Sequence, residues 1–249
     1  MARRAREPDA FVRAVELLRD RVPSFEVYPF AIPAIRTLES LALHPQVTFL
    51  VGENGSGKST LIEAIAQAAG FNAEGGSKNF SFATRPESSA LKDALRLVRG
   101  MRRERDGFFL RAESFYNAAT YVDETGASGY GDRSLHAQSH GESFLALANH
   151  RFRGDGLYLL DEPEAALSPS RQLSLLKIID QLVRQRGSQF VIATHSPILM
   201  AYPRATIYAL GVDGAAPIAY EDTEHFQLTR DFLASPARFF RHLFDADDE

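Results

Sequence analysis

Apolar residues in this chain gather in short unbroken runs, separated by longer stretches in which they recur every three or four positions. Val47-Thr48-Phe49-Leu50-Val51, Leu157-Tyr158-Leu159-Leu160 and Phe190-Val191-Ile192-Ala193-Thr194 are of the first kind. Their β-branched and aromatic content and continuous apolarity predict strands buried on both faces. Leu61 to Ala69, Ser143 to Arg151 and Arg171 to Arg186 are of the second kind and predict helices. Ser168-Pro169-Ser170 caps the last of these, which sets Leu173, Leu176, Ile179, Leu182 and Val183 on its buried side. Strands alternating with helices, each strand closing on polar residues, predict an α/β fold with a parallel sheet and a site along one edge.

The flanking segments are less regular. Phe11 to Leu18 has helical spacing, and Pro23 stops it. Phe25 to Ile32 and Ala34 to Leu38 are β-like runs broken by prolines, which suits a sheet edge. Tyr28 and Phe25 either stack on a nucleobase or pack that edge. Asn72 to Pro86 and Thr120 to Gly141, rich in Gly, Ser and short polar residues, predict loops. Between them, Glu87 to Arg105 predicts a helix with Leu91, Ala94, Leu95 and Val98 on one face, and Gly107 to Ala112 a strand. Ala205 to Tyr220 predicts a hairpin turning at Asp213-Gly214, followed by helices from Thr223 to Leu233 and Pro236 to Phe244.

Composition narrows the chemistry. A net charge of −4 argues against a generally basic nucleic-acid binder. The predicted helix at 87–105 nevertheless carries Lys92, Arg96, Arg99, Arg102, Arg103 and Arg105 on its other face, which suits either a phosphate backbone or a solvated helix end. The chain has no cysteine, which excludes disulfides, thiolate zinc sites and cysteine nucleophiles. No apolar run approaches the ~20 residues that span a bilayer. The basic tip from Met1 to Pro8 lacks an apolar core, so the expectation is a cytoplasmic chain without membrane insertion.

The strongest chemical signal follows the first buried run. Gly52-Glu53-Asn54-Gly55-Ser56-Gly57-Lys58-Ser59-Thr60 fits the phosphate-loop pattern, set between a strand and a helix as that motif requires. Glycines let backbone N–H groups turn inward around a phosphate, and the helix N-terminus adds partial positive charge. Lys58 is positioned to bridge β- and γ-phosphates, and the Ser59 hydroxyl to complete a Mg²⁺ shell. The strand at 157–160 ends at Asp161, a carboxylate suited to Mg²⁺, and at Glu162, which can polarise an attacking water. His195 ends the next strand and can hydrogen-bond the γ-phosphate or that water.

Taken together these motifs resemble an ABC-type ATPase, with Gly52–Thr60 as Walker A, Leu157–Glu162 as Walker B and His195 as the switch histidine. The nearest likeness is to compact soluble ATPases related to the SMC and DNA-repair ABC ATPases. Pro163 to Ser168 is similar to the family's D-loop, and Ser139-His140-Gly141-Glu142 to a divergent signature motif. By position, Glu113 aligns with a glutamine that the family uses as a Mg²⁺ ligand. The resemblance implies a P-loop NTPase core with a mainly parallel central sheet, an N-terminal antiparallel β portion and a small helical lid. One domain would cover 1–249, with 72–153 as the lid bearing the signature. It implies ATP and Mg²⁺ as ligands, hydrolysis by Glu162 and His195, and a head-to-tail homodimer in which Ser139 and Gly141 touch a partner's ATP. The expected role is a stand-alone ATPase in DNA repair or defence, acting on nucleic acid or protein. The alternatives are a transporter ATPase subunit and a nucleotide-controlled scaffold with little turnover.

Overall fold

The computed structural model describes residues 9–77, 90–112 and 140–244. Six strands form the central sheet: β3 (Val47–Val51), β5 (Asp106–Arg111), β6 (Gly156–Asp161), β7 (Gln189–Ala193), β8 (Ala205–Gly211) and β9 (Gly214–Ile218). Their order is β5-β6-β7-β3-β8-β9, parallel throughout except for the β8–β9 hairpin, which is the one the sequence predicts. A smaller antiparallel sheet has the order β2-β1-β4, from β1 (Val12–Leu17), β2 (Ser40–Ala42) and β4 (Leu95–Arg99).

Alternation along the buried strands builds two cores. Val47, Phe49 and Val51 of β3, Tyr158 and Leu160 of β6, and Phe190 and Ile192 of β7 face one side. There they meet α4 (His140–Arg151) and α5 (Pro169–Arg186). Leu50, Leu157, Leu159, Val191 and Ala193 face the other side, against α2 (Lys58–Ala68) and the antiparallel sheet. The period of two thus sends successive residues of one strand into different layers. Gln189 joins the two sheets: its side chain accepts from Val12 N–H at 3.0 Å and donates to the carbonyls of Val12 and His44 at 2.8 and 3.0 Å.

Four local expectations are corrected. The segment predicted as a helix at 11–18 is the strand β1, paired on both sides, with a register slip between Val12 and Ala14. One extra residue turns a spacing of two into three, which imitates a helix. Residues 87–105 are not one helix, since only α3 (Ala90–Ala94) is helical and Leu95–Arg99 pairs with β1, Leu97 opposite Val15. Pairing across the sheet overrides local helix preference there. Residues 25–38 hold the short α1 (Pro33–Arg36) rather than strands, with Pro33 at its first turn, where a missing N–H is harmless. On α5 the buried face is rotated, so Leu175 and Ile178 are buried while Leu173 is 59% exposed.

The basic residues of the 92–105 segment are largely neutralised in place. Arg96 pairs with Glu16, Arg99 with Glu104 at 2.8 Å, and Arg102 and Arg105 both with Asp155. Four of its six cations therefore face carboxylates of the chain itself.

A polar network closes the bottom of the sheet. Asp106 accepts from Tyr158 Oη at 2.7 Å, Arg151 Nη1 at 2.7 Å and Arg153 N–H at 2.9 Å. Burial opposes ionisation of this carboxyl, but the three donors and the Arg151 charge outweigh it and hold its pKa below the usual value. Burial and the Asp106 carboxylate together push the Tyr158 phenol far upward. Replacing Asp106 by Asn is expected to destabilise the fold by about 1–3 kcal/mol in urea titrations. A depressed carboxyl pKa contributes stability that is full above the unfolded value of 3.8 and lost as pH falls through the folded one. The gap between wild type and Asp106→Asn should therefore be constant above that pH and shrink below it.

Candidate functional site

Strand β3 delivers the chain to the glycine loop, and α2 carries it away. Gly52 has φ +144°, and a Cβ there would lie 2.3 Å from the Leu210 carbonyl oxygen, so β8 and the loop approach too closely for any side chain. At Gly57, with φ +100°, a Cβ would lie 2.8 Å from the Ile32 side chain. The loop tip, Glu53 to Gly55, is exposed. Lys58 opens α2 and is only 3% exposed. Its Nζ donates to the carbonyls of Gly52 and Glu53 at 2.8 and 3.0 Å, so the ammonium bends back over the loop. Burial lowers its pKa, opposed by the carboxylates of Glu162, Asp161, Glu53 and Glu164. Thr60 Oγ1 lies 3.3 Å from the hydroxyl of Tyr28, whose side chain is largely exposed beside the loop. Phe25, the other aromatic candidate, is covered by the Arg19 guanidinium, 4.5 Å from its ring centre.

Asp161 is the last residue of β6 and is buried. Arg111 stands opposite it in the β5–β6 register, with Nε 3.5 Å from Asp161 Oδ2 and Nη1 3.1 Å from Glu63. Asp161 and the Ser59 hydroxyl supply hard oxygen donors, which suit Mg²⁺. Among the described residues no cluster of three or more His, Asp or Glu could cage a metal.

Glu162 follows in the left-handed region, at φ 49° and ψ 51°. A non-glycine residue adopts that conformation at a cost of order 1 kcal/mol, and strain of this kind clusters at functional sites. Two backbone bonds hold it there, from its own N–H to Ala193 O at 2.9 Å and from Ala165 N–H to its carbonyl at 3.0 Å. The result sets its Oε1 3.4 Å from Nε2 of His195, just past the end of β7.

His195 is held on three sides. Its N–H donates to Glu164 Oε1, its Nδ1 lies 2.8 Å from Nε2 of His225, and its Nε2 faces Glu162. Burial and then the Lys58 charge lower its pKa, more than Glu162 raises it, which favours the neutral ring. Glu164 belongs to the 3-10 turn Pro163–Ala166, and burial raises the pKa of its carboxyl. A second tie links the same parts: Gln172 of α5 accepts from the Ser196 hydroxyl and donates to the Leu167 carbonyl.

The predicted residues Gly52 to Thr60, Asp161, Glu162 and His195 thus lie together at one sheet edge. Gly141 begins α4 on the far side of the Pro163–Ala166 turn, where a Cβ would come within 3.0 Å of Arg171 and of the Ala166 carbonyl. Close packing inside the chain is by itself a reason for glycine there. Ser139, Glu113 and the loops predicted at 72–86 and 120–141 lie wholly or mostly outside the described residues. Sequence reasoning missed Arg111, Glu164, Gln172 and His225. Glu164 had a signal, being a carboxylate three residues after a strand end, whereas His225 had none.

A cavity of about 500 Å³ lies beside the loop, between Glu53, Ser56, Leu210, Val212, Asp222 and His225. It brings the loop against the start of α7 (Glu224–Ala234), which follows the short α6 (Pro197–Met200) in the chain.

Comparison with known proteins gives two family matches, residues 31–118 to the "AAA domain" family and residues 126–201 to the family described as "AAA domain, putative AbiEii toxin, Type IV TA system". Among curated proteins, the chain is 28% identical over 171 residues to the iron(3+)-hydroxamate import ATP-binding protein FhuC of Bacillus subtilis, covering 60% of this chain and 63% of that one. The chain thus spans less than two thirds of that relative's length. It is 27% identical to the thiamine import ATP-binding protein ThiQ of Rhizobium meliloti, covering 76% and 84%. Solved structures similar to it include cbiO1 of Clostridium perfringens (17% identity, TM-score 0.49, 84% and 91% covered). The SMC head domain of Thermotoga maritima is another, at 16% identity and TM-score 0.46, with 83% and 98% covered.

Removing the buried ammonium tests the loop directly. Lys58→Ala is expected to weaken triphosphate binding by about 10- to 100-fold in titration calorimetry, the loss of one or two charge-assisted hydrogen bonds.

Proposed function

We propose that this chain, a P-loop ATPase of the ABC type, binds ATP with Mg²⁺ and hydrolyses it to ADP and phosphate. The observation that carries the reading is the facing pair Glu162 and His195, 3.4 Å apart at the ends of neighbouring strands, beside the Lys58 ammonium. In the bound state Lys58 exchanges its carbonyl partners for β- and γ-phosphate oxygens, and the N-terminal N–H groups of α2 bind the phosphates. Ser59 and Asp161 would hold Mg²⁺, which neutralises charge developing on the phosphate oxygens. Glu162 orients a water and takes its proton as the water oxygen bonds to the γ-phosphorus. The bond from that phosphorus to the β–γ bridging oxygen breaks, and ADP leaves. Neutral His195 donates from Nε2 to a γ-phosphate oxygen. Tyr28, exposed beside the loop, is the candidate to stack on the base.

The exposed loop tip supports the second half of the reading, that two copies close head to tail over ATP. A stand-alone role in defence is supported by the toxin–antitoxin description of one matched family. The paired arginines at 96–105 give no support to a nucleic-acid partner. A transporter role is favoured by a different observation, the import ATP-binding proteins among its relatives. In that reading the chain docks on a membrane-embedded partner, and co-purification with a multi-span protein from membranes distinguishes the two.

Glu162→Gln is expected to lower kcat by at least about 100-fold, with MgATP binding kept, since only proton transfer is lost. The same variant should elute as a dimer with MgATP and as a monomer without it. A monomer under both conditions removes the dimer from the reading, and undiminished turnover removes Glu162 as the base. Chelating Mg²⁺ with EDTA should stop wild-type turnover.

A further inference from the structure

His225 lies in the first turn of α7, thirty positions beyond His195 in the chain and after the last residue of the matched families. Its helix start is fixed independently of the site. Thr223, 1% exposed, donates its hydroxyl to the Tyr220 carbonyl at 2.7 Å and accepts from Gln227 N–H at 3.0 Å. Tyr220 and Phe226 pack with ring centres 4.5 Å apart. From this base the His225 ring reaches His195 with centres 5.0 Å apart and a nitrogen–nitrogen distance of 2.8 Å.

The contact bears on the proton position of His195. The Nε2 atom of His195 is sealed from solvent and makes no hydrogen bond among the described residues, while Glu162 Oε1 stands 3.4 Å away. Carboxylate and phosphate oxygens only accept, so Nε2 must carry the proton to be of use to either. A neutral imidazole has one N–H, and Nδ1 must then accept. Had a backbone carbonyl stood at Nδ1, it would have drawn the proton there and left Nε2 bare. A second imidazole can instead donate.

We infer that His225 is a positioning residue of the hydrolytic site: its Nε2–H donates to Nδ1 of His195 and keeps the His195 proton on Nε2, facing Glu162 and the γ-phosphate. This rests on the hydrolytic reading above and adds to it a residue from the C-terminal helix. Burial, which disfavours the charged form of His195, makes the choice of tautomer matter.

The test uses the full chain as wild type, His225→Leu, which cannot donate, and His225→Gln, whose amide can. Long-range ¹H–¹⁵N correlation of the imidazoles reads the tautomer, with the His195 signals assigned by their loss in His195→Gln. Wild type should show the Nε2–H form, and His225→Leu a shift toward Nδ1–H. In MgATP hydrolysis, kcat of His225→Leu should fall about tenfold with KM little changed, as for partners that orient catalytic histidines. His225→Gln should recover most of that loss. An Nδ1–H form in wild type, an unchanged tautomer in His225→Leu, an unchanged kcat, or a loss that His225→Gln does not relieve would each overturn the inference. If wild type itself turns over no ATP, the hydrolytic reading fails, and the tautomer comparison alone decides the role of His225.

Discussion

Everything at the site depends on the parallel register of three strands. Leu50 of β3 pairs with Ala193 of β7, and Ala193 pairs in turn with Asp161 of β6. Parallel pairing forces the three chains to leave the sheet at the same edge and level. The glycine loop begins two residues after Leu50, His195 lies two after Ala193 and Glu162 follows Asp161, so three segments far apart in the chain meet with little further adjustment. The register continues one bond beyond the sheet, from Glu162 N–H to Ala193 O, and that bond helps hold Glu162 in its left-handed conformation. Burial of every residue of β3, β6 and β7 between two helical or sheet layers keeps this edge rigid.

Chemistry with one-dimensional signatures was legible in the sequence. Fully apolar runs identified β3, β6 and β7, and a glycine pattern or an acidic pair at a run's end identified what each strand carries. The Asp213-Gly214 turn and the two C-terminal helices were legible for the same reason. Features created by pairing were not. The bulge at Val12–Ala14 disguised a strand as a helix, and β4 is a strand because β1 lies beside it. The partner set of His195 is the clearest case, since Glu164, Gln172 and His225 reach it or its neighbour from three elements. No local pattern in His225 and its flanking residues distinguishes it from a surface histidine.

The arginine-rich segment shows how composition misleads in the same way. Six cations within fourteen positions suggested a field reaching outward, yet Glu16 and Asp155 from other parts of the chain and Glu104 from the segment itself meet four of them. Exposed pairs of this kind contribute little stability. Their effect is to flatten the surface potential, which falls off within about 8 Å at physiological salt in any case.

Glu164 carries a mechanical consequence. One of its carboxylate oxygens grips the backbone of His195 while its own backbone forms the turn Pro163–Ala166, and Gln172 braces the same two parts through Ser196 and Leu167. The turn and the histidine are therefore one lever with two fastenings. Gly141 packs against the outer side of that turn at Ala166. The packing of α4 on that turn and the placement of the His195 backbone therefore share one support.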